Sequence, residues 1–304
     1  MTATAFGALL IILAGAAARH FGLLSRDDGP ALVRIVIYLA LPPLIFLILV
    51  RAELETALLL VPVAAYIIHA ILLVLAYGSC RIAGLERKRT GAIMVTVAVG
   101  NTGFFGLPLI AASGEGFSLA AAVMYDALAT GVITWTSTVL ISSSFGGEGH
   151  ARLRWQDLVR LLWLPPNLAL MAGIAVNLAG VDELPLAVER PLELMGAAVL
   201  PLVMLYAGLL LEVKGLERLW ADLGYITIVR LGLAALVGLA VATALGLEGD
   251  VLNTVVIMAA MPAAMMSLVL GSSYGLRSDI LAGAVVVTTL LATITLPLVR
   301  SLLL

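Results

Sequence analysis

The chain has 304 residues, of which 62% are hydrophobic and only 12% charged, and its mean hydropathy is +1.14; a soluble domain carries roughly 25% charged and 45–50% apolar residues. This composition excludes a soluble protein and describes a polytopic membrane protein. The net charge of -2 identifies no partner, because the signs are segregated by loop, and no nucleic-acid partner is expected. The single cysteine, Cys80, excludes an intrachain disulfide, and three scattered histidines give no metal-ligand spacing.

A bilayer crossing needs ~20 mostly apolar residues. Ten such runs are predicted, at about 3–22, 31–50, 58–80, 90–112, 118–144, 161–180, 191–211, 221–246, 251–274 and 279–301. The first lacks a preceding basic region, so it reads as a retained span rather than a signal peptide. The second carries Leu41-Pro42-Pro43-Leu44 and the third holds His69 at its middle. The fourth contains Gly100-Asn101-Thr102-Gly103-Phe104-Phe105-Gly106-Leu107-Pro108, and the fifth holds Asp126 near mid-depth. A short Ser-, Gly- and Arg-containing loop at 146–160 precedes the sixth. The seventh carries Leu200-Pro201, the eighth Arg230, and the ninth Ala259-Ala260-Met261-Pro262-Ala263-Ala264. Of 17 Lys and Arg residues, 14 fall on one side, after the odd-numbered spans, and only Arg51, Arg190 and Arg300 on the other. Positive charge marks the cytoplasmic side, so both termini are expected on the non-cytoplasmic side.

The two halves match at an offset of about 160 residues. Leu41-Pro42 corresponds to Leu200-Pro201, and the break at Asn101 to that at Pro262. Each break is followed by a glycine-bearing turn, Ser113-Gly114-Glu115-Gly116 or Ser272-Ser273-Tyr274-Gly275. Five spans per half is an odd number, so the halves have opposite orientations. The expected units are 1–145 and 161–304, joined by the cytoplasmic loop. The fold class is therefore all-α, with ten transmembrane helices in two inverted five-helix repeats whose fourth and ninth helices are broken.

Loose backbone survives in a bilayer only where it is buried in protein or lines a wet cavity. Gly100 and Gly103 let the backbone open, and Pro108 and Pro262 remove helical donors. Half-helices starting after Gly100 and at Pro262 would present free N–H groups and partial positive charge, which suits an anion. Asn101 adds uncharged donors. The expected binding set is Gly100, Asn101, Thr102, Gly103, Phe104, Met261, Pro262, Ala263 and Met265, with Phe104 and the methionines covering the apolar part of the ligand. A packing kink is the competing reading.

At Gly100-Asn101-Thr102 through Gly106-Leu107-Pro108-Leu109, Met261-Pro262, Tyr274-Gly275 to Asp279-Ile280-Leu281 and the two Leu-Pro pairs, the chain resembles the auxin efflux carrier family, which includes plant PIN proteins and short bacterial permeases. The resemblance implies a scaffold of spans one, two, six and seven that also forms a homodimer. Spans three to five and eight to ten would form a moving transport domain, in which spans four and nine cross each other at their breaks with an organic anion bound beside the crossing. Asn101 falls where the family places a substrate-contacting asparagine. Departures are Gly100 in place of a proline, a reduced central loop, and His69 rather than an acidic residue in span three. The location implied is a prokaryotic-type cytoplasmic membrane.

Asp126, His69 and Arg230 are candidates for ion coupling. Each also has a structural reading: Asp126 paired with Arg230 or bonded to Tyr125, Thr130 or Asn101, His69 as a hydrogen-bonded interior residue, and Arg230 as a brace on freed carbonyls. Thr134, Thr136, Thr138, Thr288, Thr289, Thr293 and Thr295 either coordinate Na+ or bond their own helix carbonyls. Gly7, Gly15, Gly196 and Gly208 are expected at close helix contacts. Trp155, Trp163 and Trp220 are expected at the interface. The function expected is a secondary transporter or facilitator of small carboxylates, auxin-like or dicarboxylate, working by alternating access without a cofactor. The alternatives are an H+- or Na+-coupled symporter, then a channel or receptor. No nucleophile–base pair, metal cluster or carboxylate pair supports an enzyme.

Overall fold

The structure is a computed structural model that describes residues 2–53, 55–114, 116–147, 163–181, 183–211 and 216–304. The helices are α1 (Thr2–His20), α2 (Arg26–Val50), α3 (Ala57–Ile82), α4 (Arg87–Ala98), α5 (Thr102–Ala111) and α6 (Leu119–Gly146), followed by α7 (Pro165–Leu178), α8 (Leu186–Leu210), α9 (Trp220–Ala244), α10 (Gly249–Ala259), α11 (Met265–Ser273) and α12 (Ser278–Leu303). Six of these, α2, α3, α6, α8, α9 and α12, are long and apolar enough to cross a membrane. The expected fourth and ninth runs are each two helices with extended residues between them. The sixth is short, Pro165–Leu178, and positions 161–162 lie outside the described residues, as do His150, Arg152, Arg154, Trp155, Arg160 and Lys214.

Leu-, Val- and Ala-rich runs form the helices because every backbone group must be paired internally in hydrocarbon. Polar turns end them. At Gly114 and Gly275 the chain adopts φ of 77° and 79°, which glycine reaches without a Cβ clash.

Two groups of helices emerge from the packing. Helices α1, α2, α7 and α8 pack on one another, while α3, α4, α6, α9, α10, α11 and α12 interlock as a second group. Contacts between the groups include α1 and α8 with α12, and α2 and α7 with α6, while α5 packs on both α6 and α8. Polar ties hold the first group at its ends. Asn177 donates to the carbonyls of Leu49, Val50 and Ala52 at 2.7–3.0 Å. Arg19 donates to Leu209 and Leu211, and Arg51 bridges Glu189 and Glu193. In the second group Arg89 grips Asp222 with a forked contact at 2.8–3.0 Å.

Helix α1 lies against α8 backbone to backbone. A Cβ on Gly208 would sit 2.8 Å from both Ala16 N and Gly15 Cα. Gly196 likewise faces the Leu44 backbone, whereas Gly7 meets nothing within 4 Å and, contrary to expectation, makes no close contact. Gly208→Val is expected to force α1 from α8 at a cost of about 1–3 kcal/mol or more, read as a lower melting temperature in detergent; Gly7→Ala should leave it unchanged. Exposed Trp163 and Trp220 stand at helix starts.

Candidate functional site

The two interrupted helices meet. Helix α4 ends at Ala98, and Val99 is extended (φ -114°, ψ 115°); α10 ends at Ala259, and Ala264 is extended (φ -67°, ψ 133°). The intervening segments run antiparallel, paired at Gly100 and Ala263. The Asn101 N–H donates to the Pro262 carbonyl at 2.7 Å, and the Ala264 N–H donates to the Val99 carbonyl at 3.0 Å. The Ala263 N–H donates to Thr288 Oγ1 at 3.0 Å, and that hydroxyl donates to the Ala284 carbonyl at 2.6 Å. Each half of the chain thus supplies the hydrogen bonds that the other half's break has lost, which is how non-helical backbone persists at this depth.

Arg230 completes the crossing. Its Nε donates to the Met261 carbonyl and one terminal nitrogen to the Val97 carbonyl, both at 2.8 Å, while the other donates to the Ala259 carbonyl. The side chain is 2% exposed and is fully engaged with backbone. Gly100 lies under it, where a Cβ would come within 3.2 Å of a guanidinium nitrogen. Pro262 does not open a helix as expected. Its carbonyl is used by Asn101, and α11 starts three residues later, at Met265.

Asn101 caps α5 and is 4% exposed, and its Nδ2 has no hydrogen-bond partner. Its carbonyl accepts from the N–H groups of Phe105 (3.2 Å) and Gly106 (3.0 Å), the latter an i→i+5 bond that makes the first turn of α5 a π turn. Asp126 and Arg230 also lie in π turns, Asp126–Thr130 and Ile228–Leu233. Such turns concentrate at functional sites, and three of them surround this crossing.

Asp126 bonds neither Arg230 nor Asn101. It accepts from the Thr102 hydroxyl at 2.6 Å and lies flat on Gly103, where a Cβ would meet its carboxylate oxygens at 2.7 and 2.9 Å. His69 is placed between the Ala98 carbonyl (3.0 Å) and Ser137 (2.9 Å), a partner that the sequence did not single out. Of the threonines considered for Na+, Thr134, Thr136, Thr288 and Thr293 bond their own helix carbonyls. Buried hydroxyls of Thr138, Thr289 and Thr295 have no partner. Among the described residues there is no group of three metal-ligating side chains.

The crossing is closed in this conformation. A cavity of about 20 Å³ beside His69, Gly100, Thr102, Tyr125 and Arg230 has room for a water, not an organic anion. The large cavities lie at the two ends of the boundary between the helix groups. One, of about 890 Å³, is lined by Arg51, Glu53, Glu55, Glu193, Glu248 and Asp250 above Pro108 and Pro201. The other, of about 610 Å³, holds Arg26, Arg218, Arg277 and Asp279. Between them Phe104 and Met265 pack against Val203 and Tyr206 of α8 and Val36 of α2, around a void of about 10 Å³.

The family described as Membrane transport protein matches residues 4–300. The chain belongs to this family, the auxin efflux carrier family of membrane transporters. An uncharacterized transporter of Methanothermobacter thermautotrophicus is 32% identical over 301 residues, 98% of this chain and 96% of that protein. An uncharacterized transporter of Methanocaldococcus jannaschii is 28% identical over 218 residues, 69% of this chain and 68% of that one. As a family member with several apolar helices, the chain is an integral membrane protein and a membrane transporter.

Proposed function

We propose that this transporter carries small organic anions by alternating access, binding a carboxylate at the crossing. The observation that carries the reading is the Nδ2 of Asn101, buried and unpartnered at the start of a half-helix. A donor in that position costs energy unless a ligand uses it, and a helix N-terminus favours an anion.

The reading takes α4 with α5, and α10 with α11, as single broken spans, which gives ten spans in two inverted halves, 1–145 and 161–304. Helices α1, α2, α7 and α8 form the scaffold and dimer face, and the remainder form the moving body. The arginine-lined vestibule faces the cytoplasm, with both chain termini on the other side, in agreement with the positive-inside rule. Two vestibules separated by an apolar seal at Phe104 and Met265 suit alternating access, because sliding the moving body exposes the crossing to one side at a time. Arginines in the inner vestibule would concentrate anions there.

The test is counterflow in proteoliposomes loaded with an unlabelled carboxylate, across aromatic and aliphatic mono- and dicarboxylates. Labelled substrate is expected to accumulate transiently and saturably for at least one of them. Linear flux without counterflow would indicate a channel, and no flux from folded protein would end the anion reading.

A further inference from the structure

We infer that Asp126 is a proton-binding site that makes anion transport proton-coupled, one proton travelling with each carboxylate. The inference rests on the carrier reading above and adds its driving ion.

The first turn of α5 is already occupied. This helix runs Thr102–Ala111, and its leading N–H groups have no acceptors within the helix. A carboxylate is parked there: Asp126 takes the Thr102 hydroxyl at 2.6 Å and rests both oxygens on Gly103. The residue immediately before, Asn101, is the N-terminal cap of the same helix; it is 96% buried, and its amide nitrogen has no partner. The anion site therefore holds a built-in competitor of the same chemistry as its ligand. Two carboxylates a few ångströms apart in a poorly solvated site do not both stay ionised, so a substrate carboxylate enters when Asp126 carries a proton.

No other group neutralises that charge. Among the described residues Asp126 has no cation at ion-pair distance. The elements packed against its turn are α3, α5 and α7. Helices α5 and α7 carry no titratable side chain. From α3, Tyr66 donates to the Leu128 carbonyl and His69 is held by Ala98 and Ser137. Tyr125 precedes Asp126 on its own helix, and Arg230 is committed to three carbonyls. The cycle balances: on one side the carboxylate of Asp126 takes up a proton, its bond from Thr102 weakens, and the substrate anion binds. On the other side the anion leaves, the proton follows, and the ionised side chain returns to Thr102 and Gly103. For a monoanion this step is electroneutral, so the pH gradient rather than the membrane potential sets its direction.

The experiment uses wild-type protein and Asp126→Asn in proteoliposomes with an entrapped pH dye and the carboxylate found active in counterflow. Wild type is expected to move one proton with each monoanion and to accumulate substrate down an imposed pH gradient. Its apparent affinity should fall about tenfold per pH unit on the alkaline side, the slope of a one-proton linkage. Asp126→Asn should lose the proton movement and the pH-driven accumulation, and its affinity should become flat with pH. Wild-type counterflow without proton movement would overturn the inference and leave the anion carrier standing. The same holds if Asp126→Asn keeps pH-driven accumulation. Absence of counterflow in folded wild type would overturn both. The wild-type proton measurement decides the matter even if the variant does not fold.

Discussion

Arg230→Met is expected to destabilise the protein by about 3 kcal/mol or more, since each buried carbonyl left unpaired costs about 1–3 kcal/mol. The guanidinium satisfies three carbonyls, those of Val97, Ala259 and Met261, drawn from both half-helices. None has its usual helical donor, because α4 and α10 stop there. Methionine fills much of the space and removes the charge, yet leaves all three acceptors orphaned in an apolar interior. The crossing then loses three of the side-chain hydrogen bonds that hold its two halves together, and keeps that from Ser267 to the Val95 carbonyl. An apparent melting temperature lower by about 10 °C in detergent, using soluble-protein scaling as a guide, and loss of transport should follow. Arg230→Lys should fall between, since an ammonium is a point donor where the guanidinium is a fork. An unchanged melting temperature for Arg230→Met would show that the brace is dispensable.

Asn101→Ala should separate the two effects: transport falls and the fold is kept. The backbone of residue 101 carries the crossing through its N–H to Pro262 and its carbonyl to Phe105 and Gly106, and alanine retains all of these bonds. The Nδ2 that disappears has no partner to leave behind. What is removed is one hydrogen bond to a charged ligand, worth about 1.5–3 kcal/mol, or roughly 10- to 100-fold in affinity. Thermal unfolding beside a concentration series of uptake separates the two variants. Arg230→Met lowers stability and flux together, and Asn101→Ala lowers flux alone.

Six helices of membrane length and both interruptions were legible in the sequence because the physics is local. Apolar runs of membrane length and clustered Gly, Pro and Asn announce themselves. What was not legible is pairwise. Nothing near Asp126 indicates that Thr102, 24 positions away, donates to it, or that Ser137 meets His69. The π turns at 102–106, 126–130 and 228–233 were equally hidden, since one extra residue in a turn leaves no compositional mark. Pro262 misled for a related reason. Its ring suits a helix start, but the antiparallel pairing needed its carbonyl in an extended segment, and tertiary hydrogen bonding overrode the local preference. Small residues were overread at Gly7, because an apolar helix face and a packed one use the same alphabet. Glycine 103 could have signalled the Asp126 contact, had a missing Cβ been read as room for a neighbour.

The most direct measurement of the central claim is carboxylate counterflow by wild type and Asn101→Ala, purified and reconstituted side by side at equal folded content. A carrier with its anion site at the crossing gives a saturable wild-type overshoot that Asn101→Ala lacks at the same substrate concentration. Equal overshoots from the two proteins would place the site elsewhere and contradict the account.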